Sequence, residues 1–282
     1  MRAAVLYAPG DLRMTELQKP RVAGEDVLVQ TQAVGICPTD VALYQGIIPS
    51  RKPIVIGHEF SGIVTEVGRK VQGFIVGDRV ISTTGSWSCG RCSMCKVGLR
   101  DMCERPHQLG WSVNGAFAEY FKISSRVLLK IPEGISIDEG QSIGIVGCGI
   151  RAIRKAQVSL GSKVAIIGPG HAGLILLQLA RLAGAESIVV IGTRIHRLKL
   201  AEELGADLTV NVETEAPLEK LGEGGYGSGF DIVIDTAGTP SAIKHALEIV
   251  RFGGTVLIFS VHRRPVDELR LDGIVYKEIR IL

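Results

Sequence analysis

Lys163-Val-Ala-Ile-Ile-Gly-Pro-Gly-His-Ala-Gly173 is the stretch that decides the fold of this chain. After Lys163 its next four residues are apolar, the kind of run that builds a short buried strand, and three glycines follow in the spacing G-x-G-x-x-G. From His171 to Ala183 the apolar residues recur at helical spacing, so the glycines fall between a strand and a helix. Each position then has a physical use. Gly168 permits the tight turn, Gly170 lets a pyrophosphate approach the backbone, and Gly173 lets helix and strand pack closely. At His171 and Ala172 the helix opens, offering N–H groups and a partial positive charge to phosphates. The bland alternative is a glycine turn that holds no ligand.

Strands and helices alternate on either side of this unit. A helix through Ala152, Ile153 and Ala156 precedes it. After it come strand Ser187 to Ile191, helix His196 to Leu204, strand Leu208 to Val212, strand Phe230 to Ile234, helix Ser241 to Val250 and strand Thr255 to Phe259. Such alternation predicts an α/β fold with a doubly wound parallel sheet over residues 138–282. Gly222 to Gly229 reads as a surface loop, because it feeds a strand rather than opening a helix. The second strand ends Ile191-Gly192-Thr193-Arg194, where a carboxylate would hold the ribose hydroxyls of NAD. With none present, Thr193, Arg194 and Arg197 favour NADP, unless the arginines are merely solvated residues at a helix start. Thr236, Ala237, Gly238, Ser260 and Val261 follow the ends of later strands, at the sheet edge where a nicotinamide would lie.

Residues 1–137 have a different texture: short β-branched runs broken by Gly and Pro, at Arg2 to Leu6, Asp26 to Val34, Gly62 to Val67, Arg79 to Ile81 and Ala116 to Phe121. They predict a first, all-β domain of hairpins or a barrel. Within it Gly35-Ile-Cys37-Pro-Thr39-Asp40 and Gly57-His58-Glu59 place a thiol, an imidazole and carboxylates in two turns. Those are the ligands of open zinc sites, although a buried thiol and a core histidine would look the same one at a time. Cys89, Cys92, Cys95 and Cys103 form C-x2-C-x2-C-x7-C over residues 89–103. Four sulfurs so close suit a closed, structural zinc site, with disulfides as the alternative.

Composition narrows the partners. The 282 residues carry 32 basic and 29 acidic side chains, a balance that gives no reason to expect nucleic acid or an anionic membrane. The cysteine lobe also lacks the basic and aromatic surroundings of a nucleic-acid module. No secretory signal or bilayer-length apolar run is evident, which makes the cytoplasm the expected compartment and a small molecule the expected partner. Six thiols in a reducing compartment argue for metal before disulfides.

Together the Cys37 and His58 turns, the four-cysteine lobe and the glycine fingerprint resemble the zinc-dependent medium-chain alcohol, polyol and threonine dehydrogenases. That resemblance implies a GroES-like irregular β-barrel catalytic domain before the Rossmann domain, and a homo-oligomer. It also implies a second, catalytic zinc at Cys37 and His58 that activates an alcohol, with hydride passing to NAD(P). Thr39 would pass the proton outward, Asp40 would orient His58, and Tyr44, Ile48 and Trp111 would wall the substrate pocket.

The chain departs from the family pattern in four places. Pro38 and Ala42 stand where many members have a small or basic residue and a relay histidine. Gly144 stands where a third ligand is usual, and glycine cannot ligate. Glu59 becomes the replacement, with Cys148, one helical turn beyond Gly144, as a second possibility and loss of the metal as a third. Finally, Glu278 to Leu282 reads as a sixth strand, after which family members continue. These departures leave open a truncated relative that binds dinucleotide and structural zinc without catalysis.

Overall fold

The computed structural model of the chain describes residues 1–82 and 86–282, which divide into two compact units, Met1–Gly144 and Ile145–Leu282. In the first, β1 (Arg2–Ala8), β2 (Asp11–Glu16) and β3 (Asp26–Gly35) precede helix α1 (Pro38–Tyr44). Next come β4 (Ile54–Val55), β5 (Glu59–Val67), β6 (Arg79–Ser82), β7 (Ser86–Trp87), α2 (Ser93–Lys96) and β8 (His107–Gln108). The unit is completed by β9 (Tyr120–Ser124), β10 (Leu128–Lys130) and α3 (Ile137–Gly140). One sheet runs β10-β6-β5-β3-β9 and a second β2-β1-β4, with β7-β8 as a separate ribbon.

What joins the two larger sheets is the segment entering β9. Phe117 accepts from the amide of Ala4 on one side and donates to the carbonyl of Ile56 on the other, and Ala118 bridges Ala3. A strand spanning Ala116 to Phe121 was the expectation; instead the chain crosses between sheets there and settles into regular pairing only at Tyr120. This crossing curls the sheets round a core of Val27, Val29, Phe60, Val64, Val80 and Phe121. Phe60 and Phe121 meet edge to face at 4.5 Å, the arrangement that ring quadrupoles prefer. Helix α3 packs on β3, β5 and β6, and its Gly140 lies against Ile131 and Ser61. For that reason residues 138–144, which the change of pattern assigns to the second domain, stay with the first unit.

The second unit takes in α4 (Ile143–Ala156) from Ile145 onward, β11 (Lys163–Ile167), α5 (His171–Leu182), β12 (Ser187–Gly192), α6 (Ile195–Glu203) and β13 (Leu208–Asn211). It continues with α7 (Pro217–Glu223), β14 (Phe230–Asp235), α8 (Pro240–Ile249), β15 (Val250–Ile258), α9 (Asp272–Tyr276) and β16 (Arg280–Ile281). All six strands are parallel, in the order β13-β12-β11-β14-β15-β16. The winding direction reverses between β11 and β14, the place where ligands of such sheets bind beyond the strand ends. Buried faces follow from spacing: on α4 the buried residues are Gly149, Ala152, Ile153 and Ala156, one stripe at helical period. Two details differ from expectation. Gly222 lies inside α7, which the glycine-rich composition concealed, and β15 begins at Val250, because Phe230 already pairs with it.

The closest approach in this unit is at Gly173, where an added Cβ would sit 2.0 Å from the carbonyl oxygen of Gly168 and 3.0 Å from Thr236 Oγ1. A backbone carbonyl cannot yield as a flexible side chain does. Gly173→Ala is therefore expected to destabilise the chain by about 1–3 kcal/mol, read as a lower denaturant midpoint at unchanged m.

Candidate metal centre and dinucleotide cradle

The metal centre is assembled by one helix start and one strand start. Cys37 caps α1 with extended backbone, its Sγ accepting from the amide of Thr39 at 3.5 Å. Pro38 follows at the first helical position, where its missing N–H and fixed φ cost nothing, which gives that departure from the family pattern a structural reason. Asp40 completes a capping box by accepting from the amide of Cys37 at 2.9 Å. Its other oxygen accepts from the amide of Gly57 at 3.2 Å and lies 3.3 Å from His58 Nδ1. Gly57 has φ of 95°, and a Cβ there would run into the ring of Phe117, so the turn admits only glycine. Across the β3–β5 ladder Glu59 pairs with Gly35, two residues before Cys37.

As a result ligand atoms of Cys37, His58 and Glu59 all lie within 4.8 Å of one another, each residue half-buried. Thiolate, imidazole and carboxylate form a donor set that fits a zinc ion with room for one further ligand. Cys148 lies in the other unit, exposed on α4. Thr39 is half-buried, and Ala42 is fully buried, with no group to move a proton. Ile48 and Trp111 pack on the cluster of Leu6, Leu43, Ile54 and Ile56, whereas Tyr44 is 39% exposed. Burial works against a charge on His58, but its hydrogen bonds to Asp40 and Cys37 outweigh that and raise its pKa from 6.5 to about 10.

In the cysteine lobe the four sulfurs also lie within 4.8 Å of one another. Cys92 Sγ is 3.4 Å from that of Cys95 and 3.9 Å from that of Cys103. Zn–S bonds of about 2.3 Å in a tetrahedron put sulfurs about 3.8 Å apart, so the lobe fits a zinc ion. Backbone N–H groups of Glu104 and Cys95 draw the Cys92 pKa down to about 6, while desolvation and the neighbouring sulfurs push Cys95 up to about 11. Four sulfurs this close cannot all ionise without a cation among them.

On the second unit, Gly168 has φ of 106° and Gly170 caps α5 without a side-chain hydrogen bond, leaving the first amides of the helix for a ligand. Thr236 Oγ1 donates to the carbonyls of Gly168 at 2.7 Å and Ile167 at 3.0 Å, tying the end of β14 to the glycine turn. Arg197 brings Nη1 within 3.9 Å of the Cβ position of Gly170, while Thr193 and Arg194 are exposed at the end of β12. His171 is exposed and Ala172 half-buried at the helix start. The fingerprint thus forms a bare cradle suited to a dinucleotide pyrophosphate.

At the sheet edge where the sequence already places Asp235 to Gly238 and Ser260, one partner, His262, escaped the sequence reading. Asp235, wholly buried at the end of β14, accepts from the amides of Ala237 and Gly238, from Ser260 Oγ and, at 2.6 Å, from His262 Nε2. A carboxylate closing a buried apolar strand needs donors around it, and that was the available signal. Val261, between two of these residues, is exposed.

Comparison with known proteins places residues 23–133 in the alcohol dehydrogenase GroES-like domain and residues 172–282 in the zinc-binding dehydrogenase domain. The chain is 33% identical to sorbitol dehydrogenase of Bacillus subtilis, covering all of this chain and 81% of that protein. It is 34% identical to L-threonine 3-dehydrogenase of Bacillus velezensis, covering 95% and 78%. Among solved structures, a Sinorhizobium meliloti protein described as a zinc-binding dehydrogenase and bound to NADP superposes with a TM-score of 0.94 at 33% identity, covering all of this chain and 83% of that one. Among the described residues, no helix is long and apolar enough to cross a membrane.

Two outcomes follow for metal binding. Elemental analysis of chain purified without added metal should give about two zinc ions per chain, and about one in Cys37→Ala. An ion must displace the proton that His58 holds below about pH 10, so zinc affinity of the metal-free centre should rise from about pH 6 to pH 9, with proton release seen by calorimetry in two buffers. The sign for the metal-free fold is the opposite. A raised pKa stabilises it fully below 6.5, and that contribution fades as pH climbs through about 10.

Proposed function

The chain belongs to the zinc-dependent medium-chain dehydrogenase family, and from that premise we propose that it transfers hydride between a secondary alcohol or polyol and the nicotinamide of NADP in preference to NAD. It is a zinc-containing, NAD(P)-dependent dehydrogenase that acts on a small molecule. The observation that carries the finer reading is the convergence of Cys37, His58 and Glu59 within 4.8 Å, in a chain that also carries the glycine cradle.

Zinc would be held by Cys37, His58 and Glu59, where it supplies Lewis acidity at a hydroxyl, while the nicotinamide accepts the hydride. With Nδ1 committed to Asp40, Nε2 of His58 is the nitrogen available to an ion. Asp40 thereby acts as a positioning residue, fixing the ring and the helix start together. Thr39, beside Cys37, carries the hydroxyl best placed to hand a proton outward, and water takes it from there because Ala42 offers no relay. Ile48 and Trp111, packed on one cluster, would form an apolar wall of the substrate pocket.

On the cofactor side, Gly168, Gly170, His171, Ala172 and Gly173 would receive the pyrophosphate, and Thr236 to Gly238 with Ser260 and Val261 the nicotinamide half. Arg194 and Arg197, with no carboxylate at Thr193, support the preference for a 2′-phosphate. Family membership also supports a homo-oligomer, and six cysteines with no disulfide among those described support the cytoplasm. The non-catalytic alternative draws no support from the relatives, which are dehydrogenases and of whose length this chain covers 81% and 78%.

The test is steady-state turnover of a panel of secondary alcohols, polyols and β-hydroxy amino acids with NADP and with NAD. Oxidation of at least one polyol or secondary alcohol, lost on metal removal and in Cys37→Ala, is the expected result; turnover unaffected by either would sink the zinc role. Arg194→Ala should raise KM for NADP roughly tenfold and leave that for NAD within about twofold, since one charge-assisted phosphate contact is removed.

A further inference from the structure

We propose that His262 is a positioning residue for the nicotinamide half of the dinucleotide, acting through Asp235 on the turns that end β14 and β15; this rests on the dinucleotide reading above. Asp235 closes β14, which borders β11 where the winding of the sheet reverses, and ligands of such sheets lie outside the strand ends at that point. Its carboxylate is wholly buried and has about four lone-pair sites, all of them used. Oδ1 accepts from the amides of Ala237 and Gly238, at 2.9 and 3.1 Å. Oδ2 accepts from Ser260 at 3.2 Å and from His262 at 2.6 Å. One buried group therefore fixes two turns, 236–238 and 260–262, relative to each other.

The imidazole makes this contact at a cost to itself. Its side chain is 17% exposed, and Nδ1, buried, finds no partner among the described residues. A histidine free to swing toward water would satisfy both nitrogens. Holding it inward with one unpaired is unfavourable unless the geometry it enforces has a use. That geometry is confined to one end of the cradle. Thr236 Oγ1 is anchored separately to Ile167 and Gly168, and the side-chain hydrogen bonds of Asp235 go to Ala237, Gly238, Ser260 and His262, not to the glycine turn or Arg197. Loss of the His262 bond should loosen the nicotinamide end and leave the pyrophosphate and adenosine end intact.

The experiment measures equilibrium binding of NADPH, NADH and ADP-ribose, which lacks the nicotinamide ring, to the wild-type chain, His262→Ala and His262→Gln, with kcat and KM for the dinucleotide. His262→Ala is expected to bind the preferred reduced dinucleotide roughly tenfold more weakly and ADP-ribose within about twofold of wild type, with His262→Gln recovering part of the loss through its amide donor. If His262→Ala does not fold, His262→Phe keeps a ring of similar size without the donor nitrogen, and the same selective loss is expected. Dinucleotide and ADP-ribose weakened alike, or neither weakened, would overturn the proposal. A wild-type chain that binds none of the three overturns the dinucleotide reading itself, a failure distinct from a wild type that binds and a variant that behaves like it.

Discussion

A single buried carboxylate organises the first unit. Asp40 is 2% exposed, and it accepts from the amides of Cys37 and Gly57 while facing His58 Nδ1. Left unpaired in that setting it would be strongly destabilising, so the turns that supply its donors are held as firmly as the carboxylate is buried. Those turns carry the thiol and the imidazole. A requirement for satisfying one buried carboxylate thus becomes a requirement on where two candidate metal ligands stand. The β3–β5 ladder adds the third, because pairing Gly35 with Glu59 brings the strand start alongside the helix start.

The second unit uses the same device at another edge. Asp235, wholly buried, gathers the turns after β14 and β15 as Asp40 gathers those around α1. Glycine does the complementary work. Where the first unit needs Gly57 for positive φ and clearance from Phe117, the second needs Gly173 for contact between helix and strand. Neither position tolerates a side chain, yet neither makes a hydrogen bond through one. Precision in both sites comes from backbone placement, with side chains aimed only once the backbone is fixed.

How much of this was legible depended on the length scale of the signal. The parallel sheet was readable because runs such as Lys163–Ile167 are apolar from their second residue on, end at a glycine, and recur between helical stripes. The cysteine lobe was readable because its spacing is local. In contrast, β2 is a strand with no buried residue and hence no alternation to detect, and β4 is only two residues long. Helix α1 was hidden by its cap, since cysteine is not among the residues that usually mark a helix start. The grouping of Cys37, His58 and Glu59 was suggested by motif, but the roles of Asp40 and the β3–β5 ladder in holding it are long-range facts. Asp235 and His262, 27 residues apart, carry no spacing that would have singled them out.

The three candidate metal donors, together with Asp40, all fall between residues 37 and 59, inside a unit that ends at Gly144. This bears on the order of synthesis. Domains fold as units and amino-terminal ones first, so these three residues have left the ribosome before the parallel sheet exists. If those three donors hold an ion, the first unit carries them before the dinucleotide half has been made.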